Sequence, residues 1–529
     1  MLPTESAGED AGSCGLYPFA DTSVRFISDS DRLNWTVNGI KKCSKLIAEN
    51  HWLAYLLVFV AGFVLRLICI GSKSLWVDEA YAAGLMDMNP IDLVKLSIAG
   101  SPHPPLAFLF IRFSTVIFGQ SEAGLRMIPA LASALAAIPL MCFISRKISF
   151  RSALWAGLIW SVSPFAISMG QEAWLYGIIS CFGFLFIDIA DRAWNCSRKA
   201  LYFVVPIALT GMLIQHMFGL FIAAGFALYF TVPRKQRLPF RQLVLVSAIF
   251  LVLYAPFAVL MVKQTSFRAE RIRRAGMDMA AVYRYRFIVR VPTVFVRLIP
   301  GGLLLEAGYE MIRNVKQIVF WFIIGAGNLL LLLNLFLSNL LDKKFKVWLL
   351  LLFAVPFMIF IKEDPTVRHL TILWIPFGFA LAAASQRWKF AGPFIFIAAA
   401  ITLLPYYNIN SFPYHRSDWR GATAYVEERF SSDESILILG GQSGGLAWDY
   451  YSSGNFPRAA FGGENPYIEL MVWGKSPNSA IDSLMDCHDS IWIVYDYWGG
   501  PKTPELTDGY RILSETRISP VMEVIHISE

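Results

Sequence analysis

Long apolar runs, several of them about 18–20 residues, recur along most of this chain. They lie at 52–70, 126–145, 152–169, 173–190, 200–217, 218–233, 243–262, 316–338, 347–361, 369–385 and 390–404. Such a run is long enough to cross a bilayer as a helix, the one single-segment structure that satisfies its own backbone in lipid. These eleven spans predict a polytopic α-helical membrane protein and exclude a single soluble core. Composition agrees, because charged residues are only 16% of the 529, against roughly 25% in soluble domains. The seven cysteines, at 14, 43, 69, 142, 181, 196 and 487, show no spacing that reads as a disulfide framework or a zinc site. Residues 1–50 are polar and lack the basic and apolar regions of a cleaved signal peptide. They read as a disordered cytoplasmic tail ahead of an uncleaved first span.

Loop charge sets the orientation. Alternate connections carry Lys41/Lys42/Lys45, Arg146/Lys147/Arg151, Arg192/Arg198/Lys199, Arg234/Lys235/Arg237/Arg241, Lys343/Lys344/Lys346 and Arg387/Lys389. Short basic loops stay in the cytoplasm, so the N-terminus is inside and 405–529 is outside. The remaining connections then face outward, and they hold Asp78, Glu79, His103, Glu172, His216, Glu363, Asp364, Arg368 and His369. Gathering acids and histidines on one face points to an outward-facing chemical site at the membrane boundary; the bland reading is that loops are polar. One outer loop runs against the charge rule. Residues 263–297 carry nine Lys/Arg and two acids. Placed outside, so basic a segment suggests a polyanion such as a phosphate-bearing lipid or an acidic glycan, which the planar fork of Arg suits. The alternative is a solvated face or an inverted topology.

Individual residues stand out within this face. Asp78 and Glu79 begin a predicted helix just past the first span, where carboxylates favour the helix N-terminus. Being neighbours, they do not share a helix face. His103 precedes Pro104-Pro105, which fix an extended entry and then start a helix. Glu172 and Tyr176 are four apart, on one face of a helix start. Arg66 lies inside the first span near its outer end, a functional candidate by default in lipid or a structural partner for Asp78 or Glu79. Arg126 and Arg368 open spans at the outer boundary, where phosphate binding competes with snorkelling to headgroups.

In order, several stretches resemble the GT-C glycosyltransferases that use polyprenyl-phosphate sugars, in particular bacterial members like the dolichyl-phosphate-mannose protein mannosyltransferases. They are Arg66 in the first span followed by LWVDEAY; SPHPPLAFLFIRFSTVIFG (101–119); SEAGLRMIPALASAL (121–135); SPFAISMGQEAWLYGI (163–178); and DWRGATAYVEERFSSDESILIL (418–439). The resemblance spans roughly 60–480. It departs at Trp174, where relatives often carry Arg, and at Val367-Arg368-His369, where they often carry Arg-Tyr. It implies a GT-C fold and transfer of a sugar from a polyprenyl-monophosphate donor to a glycan, lipid or protein acceptor, with inversion. It implies Asp78 as general base, with Glu79 beside it orienting a loop Arg or the acceptor. Arg126, Arg368, His369, Arg271 and Arg274 would hold the donor phosphate, and His103, Glu172, Tyr176 and His216 would line the substrate cavity. Asp78, Glu79, His103 and Glu172 also offer ligands for a divalent metal, although no spacing fixes a site. The expected setting is a bacterial inner membrane, with membrane lipids as partners and no nucleic acid.

The expected organisation is a tail (1–50), a transmembrane domain (51–404) with outer loops at 71–125 and 263–315, and a periplasmic domain (405–529). In the last, SILILGG (435–441) and SIWIVYDY (490–497) read as buried strands and TAYVEERF (423–430) as a helix, a small α/β domain. Its Trp448, Tyr450, Tyr451, Trp473 and Trp498 read as core or as stacking platforms for sugar rings. A transporter or flippase of lipid-linked glycans is the alternative function. It predicts mid-membrane charges and repeated halves, neither of which this sequence has.

Overall fold

A computed structural model describes residues 50–100, 103–195, 197–215, 217–274, 315–360, 371–401, 403–407, 417–440, 444–454, 458–460, 477–496, 509–519 and 522–528. The unit described is Ala54–Glu529, with residues 50–53 ahead of it; the predicted tail lies outside the described residues.

The described chain opens with the apolar helix α1 (His51–Leu67), followed by two short helices, α2 (Val77–Gly84) and α3 (Pro90–Gly100), and by α4 (Leu106–Phe118). Helices α5 (Glu122–Leu135) and α6 (Ala137–Lys147) run on as one apolar stretch of 26 residues. Next come α7 (Phe150–Val162) and α8 (Pro164–Gly170), bent by 59° at their junction. Pro164 at the first position of α8 forces that break, and the Ser163 side chain caps the new helix by accepting the Ala166 N–H at 3.4 Å. Helices α9 (Tyr176–Trp194), α10 (Arg198–Met212), α11 (Phe218–Leu228), α12 (Phe240–Arg274), α13 (Val315–Leu337), α14 (Lys343–Phe360), α15 (Trp374–Arg387), α16 (Ala391–Ile401) and α17 (Leu403–Tyr407) complete the helical part.

Helix thus lies over each apolar run of the sequence. Among the described residues two helical stretches are long and apolar enough to cross a membrane, Glu122–Lys147 and Phe240–Val259, or three if the bent pair is one span. The two play different parts. The first is 67% buried within the protein and the second only 22%. Large apolar side chains lie bare on α1, α10, α12 and α13, among them Val252 at 73% and Leu337 at 78% exposure. In water such a belt would drive aggregation; lipid is the solvent it fits. Helix α12 continues well past its apolar window. Its 35 residues span about 52 Å at 1.5 Å per residue, so the basic segment at 263–274 begins as a helical extension.

Close approach holds the helices together, as expected where lipid offers no hydrophobic drive between them. A Cβ on Gly177 would sit 2.5 Å from the Pro129 carbonyl oxygen, so α9 and α5 touch backbone to backbone. Trp160 packs edge-on against Phe184 at 5.2 Å and Trp374 at 5.0 Å, while its indole N–H donates to the Ser133 carbonyl at 2.8 Å. At the basic-loop end, Arg146 pairs with Asp188 (2.5 Å) and Asp191 (3.1 Å), and Lys147 with Asp191 (2.6 Å). Acids at a membrane boundary need such partners.

The C-terminal segment holds α18 (Trp419–Glu427), β1 (Glu434–Gly440), α19 (Gly444–Tyr451), β2 (Arg458–Ala460), α20 (Pro477–Met485), β3 (Ser490–Asp496), β4 (Arg511–Ser519) and β5 (Met522–Ser528). The sheet order is β2-β1-β3-β5-β4. Strands β1, β2 and β3 are parallel; β5 is antiparallel to β3 and to β4. Period-two alternation splits the strand residues between two cores. Leu437, Ile491, Ile493, Ile525 and Ile527 pack with Ile481 of α20. Ile436, Ile438, Trp492, Val494 and Val524 join Trp419 and Trp448 in a core continuous with that of the membrane helices. The two buried strands and the helix expected around 423–430 are present, the helix starting four residues earlier, at Trp419. The sequence reading did not anticipate the β4–β5 hairpin.

Candidate active site

The two adjacent acids are treated in opposite ways. Glu79, third in α2, is fully buried, and Asp78 is half-buried. One Glu79 oxygen accepts the Arg126 Nε–H at 2.7 Å and the Ala173 N–H at 2.6 Å; the other accepts the Arg126 Nη2–H at 2.7 Å. That second oxygen also reaches back to the Trp76 N–H at 3.3 Å, half of a capping box. Arg126, also fully buried, gives its remaining donors to the carbonyls of Ile70 (2.8 Å), Lys73 (3.0 Å) and Ser74 (3.2 Å). A guanidinium has five N–H groups, and each has an acceptor here. The bidentate pair therefore ties the acidic loop, the start of α5 and the 171–175 turn together. The sequence points to Arg126 as a phosphate ligand and to Glu79, beside the base, as orienting a loop Arg or the acceptor; in the structure Glu79 holds Arg126, and the five N–H groups of Arg126 end on Glu79 and the loop carbonyls. This clamp fixes the residue next to Asp78, which is itself partly exposed.

Aromatic edges carry the frame to His103. Tyr81 of α2 meets Phe108 of α4 at 5.6 Å and 90°, Phe108 meets Trp174 at 5.5 Å, and Trp174 meets His103 at 5.3 Å and 84°. T-shaped pairs of this kind add stability beyond the area they bury. Trp174, the departure from the resembling family's Arg, is thus a packed member of this chain and 4% exposed. The turn also buries Glu172 and Tyr176. Gln171 anchors it to the end of α1, donating to the carbonyls of Arg66 (3.0 Å) and Ile68 (2.7 Å), and it accepts from Tyr406 Oη at 2.6 Å.

The structure brings Asp78, Glu79, Arg126, Glu172 and His103 into one neighbourhood through these links. Arg271 and Arg274 fall on the far end of α12, where only the backbone is described; His216, Arg368 and His369 lie outside the described residues. Arg66 does not pair with the acids. It is fully buried and donates to Ser133 Oγ (2.9 Å) and to the carbonyls of Gly62 (2.8 Å) and Ser161 (3.4 Å). Sequence reasoning passed over Lys73, whose amine donates to Tyr406 Oη at 2.8 Å, and Gln171. Their one signal was position, Lys73 two residues before LWVDEAY and Gln171 inside SPFAISMGQEAWLYGI. Among the described residues no group of three His, Cys, Asp or Glu is placed to hold a metal. A polar cleft of about 590 Å³ opens beside the loop, lined by Gly71, Asp87, Gln120, Glu122, Arg420, Asp449, Tyr450 and Tyr451. Of the aromatic residues considered as sugar platforms, Trp448 is fully buried and is core; Trp473 and Trp498 lie outside the described residues.

Arg126 and the 171–175 turn fall in the part of the chain that matches a known family, and Glu79 precedes it. Residues 102–260 match the model of the dolichyl-phosphate-mannose-protein mannosyltransferases. The match covers that segment alone. Among solved structures, the chain is similar to ArnT from Cupriavidus metallidurans bound to undecaprenyl phosphate, with 13% identity over 89% of this chain and 98% of that one, TM-score 0.49. It is similar to the archaeal oligosaccharyltransferase AglB from Archaeoglobus fulgidus, solved with an inhibitory peptide and a dolichol-phosphate, with 12% identity over 84% and 69%, TM-score 0.49. It is also similar to the mycobacterial arabinofuranosyltransferase AftD, with 11% identity over 90% and 41%, TM-score 0.41. No curated protein matches it in sequence.

Proposed function

We propose that this enzyme transfers a sugar from a polyprenyl-monophosphate donor to a glycan, lipid or protein acceptor on the outer face of a bacterial inner membrane. In this reading eleven spans leave the N-terminus in the cytoplasm and the sheet-bearing segment in the periplasm. One observation carries the reading. Asp78 stands next to Glu79, and Glu79 is held by Arg126 and the Ala173 N–H, two groups inside the segment that matches a polyprenyl-phosphate-sugar-using family.

In the proposed reaction the Asp78 carboxylate accepts the proton of the acceptor hydroxyl. The acceptor oxygen forms its bond to the anomeric carbon from the face opposite the phosphate. The bond from that carbon to the phosphate oxygen breaks, and polyprenyl phosphate leaves with the electron pair. Attack from the far face inverts the anomeric centre. Charge growing on the departing phosphate needs cations. Because the donors of Arg126 are already used, this role falls to Arg271 and Arg274 on the extension of α12 and to Arg368 and His369. Glu79 and Arg126 position the base. His103, Glu172, Tyr176 and His216 line the substrate cavity, with Trp174 holding His103 in place.

The test is incubation of the purified protein with a panel of polyprenyl-monophosphate sugars and envelope-derived acceptors, with the linkage of the product read by NMR. Consumption of one donor with an inverted linkage supports the proposal. A retained linkage sinks the direct-attack mechanism, and ATP-independent movement of lipid-linked glycan across vesicles without any transfer would establish the transporter alternative.

A further inference from the structure

Hydrogen bonds run from the sheet-bearing segment to the loop that carries the acids. Tyr451, at the end of α19, accepts the Leu75 N–H on its hydroxyl at 2.6 Å and donates to a Glu122 carboxylate oxygen at 3.0 Å. Arg420 of α18 pairs with the same Glu122 oxygen. It also donates to the carbonyls of Gly71 (3.3 Å) and Ser72 (3.4 Å), and its backbone N–H donates to Ser74 Oγ at 3.2 Å. Tyr450 donates to the Gln120 carbonyl at 2.7 Å. Burial pushes the Tyr451 hydroxyl up to about 12, so it keeps its proton, and its ability to donate, at any physiological pH.

These bonds complete the grip that Arg126 begins. From the membrane side Arg126 holds the carbonyls of Ile70, Lys73 and Ser74. From the outer side Arg420 and Tyr451 hold Gly71, Ser72, Ser74 and Leu75. Both grips hang on the first turns of α5, because Glu122 and Arg126 are four residues apart and share a helix face. Leu75 is fully buried and lies three residues before Asp78. Nothing in the loop's own sequence would fix it so firmly, as it is a short irregular stretch between α1 and α2.

We infer that the C-terminal segment is part of the catalytic apparatus: Tyr451 and Arg420 are positioning residues that set the acidic loop, and with it Asp78, from the outside. The inference rests on the reading of Asp78 as base. Displacement of a reacting group by about 1 Å costs about a hundredfold in rate, so loosening this grip should lower kcat while leaving donor binding in place.

The experiment uses the full chain in nanodiscs. Hydrogen–deuterium exchange of peptides spanning residues 70–84 is compared for wild type, Tyr451→Phe, Arg420→Ala and a control, Arg429→Ala, on the same segment but away from the loop. Sugar transfer is measured in parallel. Loss of one such hydrogen bond should speed exchange of the loop by roughly tenfold. In Tyr451→Phe and Arg420→Ala, kcat should fall about tenfold to a hundredfold with the donor KM within about twofold, and the control should match wild type. Partial rescue of Arg420→Glu by Glu122→Arg is also expected. Unchanged exchange and unchanged kcat in both variants would overturn the inference. Should wild type transfer sugar from no donor, the reading of Asp78 falls, and exchange alone then decides whether the segment grips the loop: faster exchange keeps the grip, unchanged exchange removes it.

Discussion

Replacing Glu79 by Gln is the sharpest structural test of the clamp, and its cost follows from the geometry. Both partners are fully buried. The carboxylate receives two bonds from Arg126, one from the Ala173 N–H and one from the Trp76 N–H. A carboxamide keeps one accepting oxygen and turns an NH2 group toward a guanidinium that only donates. The variant therefore buries an uncompensated Arg126, a loss of about 3–5 kcal/mol. Arg126→Met should cost more, because it also strands the carbonyls of Ile70, Lys73 and Ser74. In the double variant the two losses should overlap, so the sum of the singles exceeds the measured loss by about 1–3 kcal/mol. The assay is unfolding in mixed micelles titrated with SDS and followed by tryptophan fluorescence. A Glu79→Gln loss under about 1 kcal/mol, or strict additivity of the two changes, would refute the claim that these groups form a buried, fully engaged pair.

Two further outcomes follow from local geometry. Gly177→Val should destabilise the helical part strongly, since even a Cβ meets the Pro129 carbonyl oxygen at 2.5 Å; a variant that unfolds like wild type in SDS would contradict the close α5–α9 contact. The sheet should weaken in acid. Burial alone would raise the Glu434 carboxyl, but donation from the Ser431 N–H, Trp492 and Ser490 and the charge of His526 hold it below its ordinary 4.5. Burial pulls His526 below its ordinary 6.5 despite Glu434. Both folded values are depressed, so their stabilisation is present above the ordinary values and is lost as pH falls, first through the His526 range and then through that of Glu434. A thermal melt of the sheet followed by near-UV circular dichroism should drop over that window, and Glu434→Gln should flatten the part below 4.5; a melt that does not change with pH would contradict the assignment.

The helical part was legible because apolar runs of membrane length admit little else. The acidic motif was legible as a place but not as a division of labour. Adjacency says that Asp78 and Glu79 point apart, yet which of them is buried depends on Arg126, 47 residues away, and on a backbone N–H in the 171–175 turn. Arg126 read as a phosphate ligand because an arginine at a span start on the outer side fits that role; that its donors end on loop carbonyls is a tertiary fact without a sequence period. The C-terminal strands β1 and β3 were visible as short apolar runs. Strand β4 (RILSETRIS) was not, since it is an edge strand with most of its residues at least partly exposed, and an edge needs less apolar surface. Tyr450 and Tyr451 were weighed as sugar platforms or core. Their hydroxyls instead bond to Gln120 and Leu75, partners more than three hundred residues away.

The central claim is that Asp78 is the base of a polyprenyl-phosphate-dependent transfer, and the most direct test sets wild type beside Asp78→Asn. Both proteins are purified, shown to unfold alike in SDS, and given the same labelled polyprenyl-monophosphate sugar and acceptor; release of polyprenyl phosphate is measured. The account predicts release by wild type and a loss of about a hundredfold or more in Asp78→Asn, with the two proteins unfolding alike. Equal release by both proteins would contradict it and move the base elsewhere.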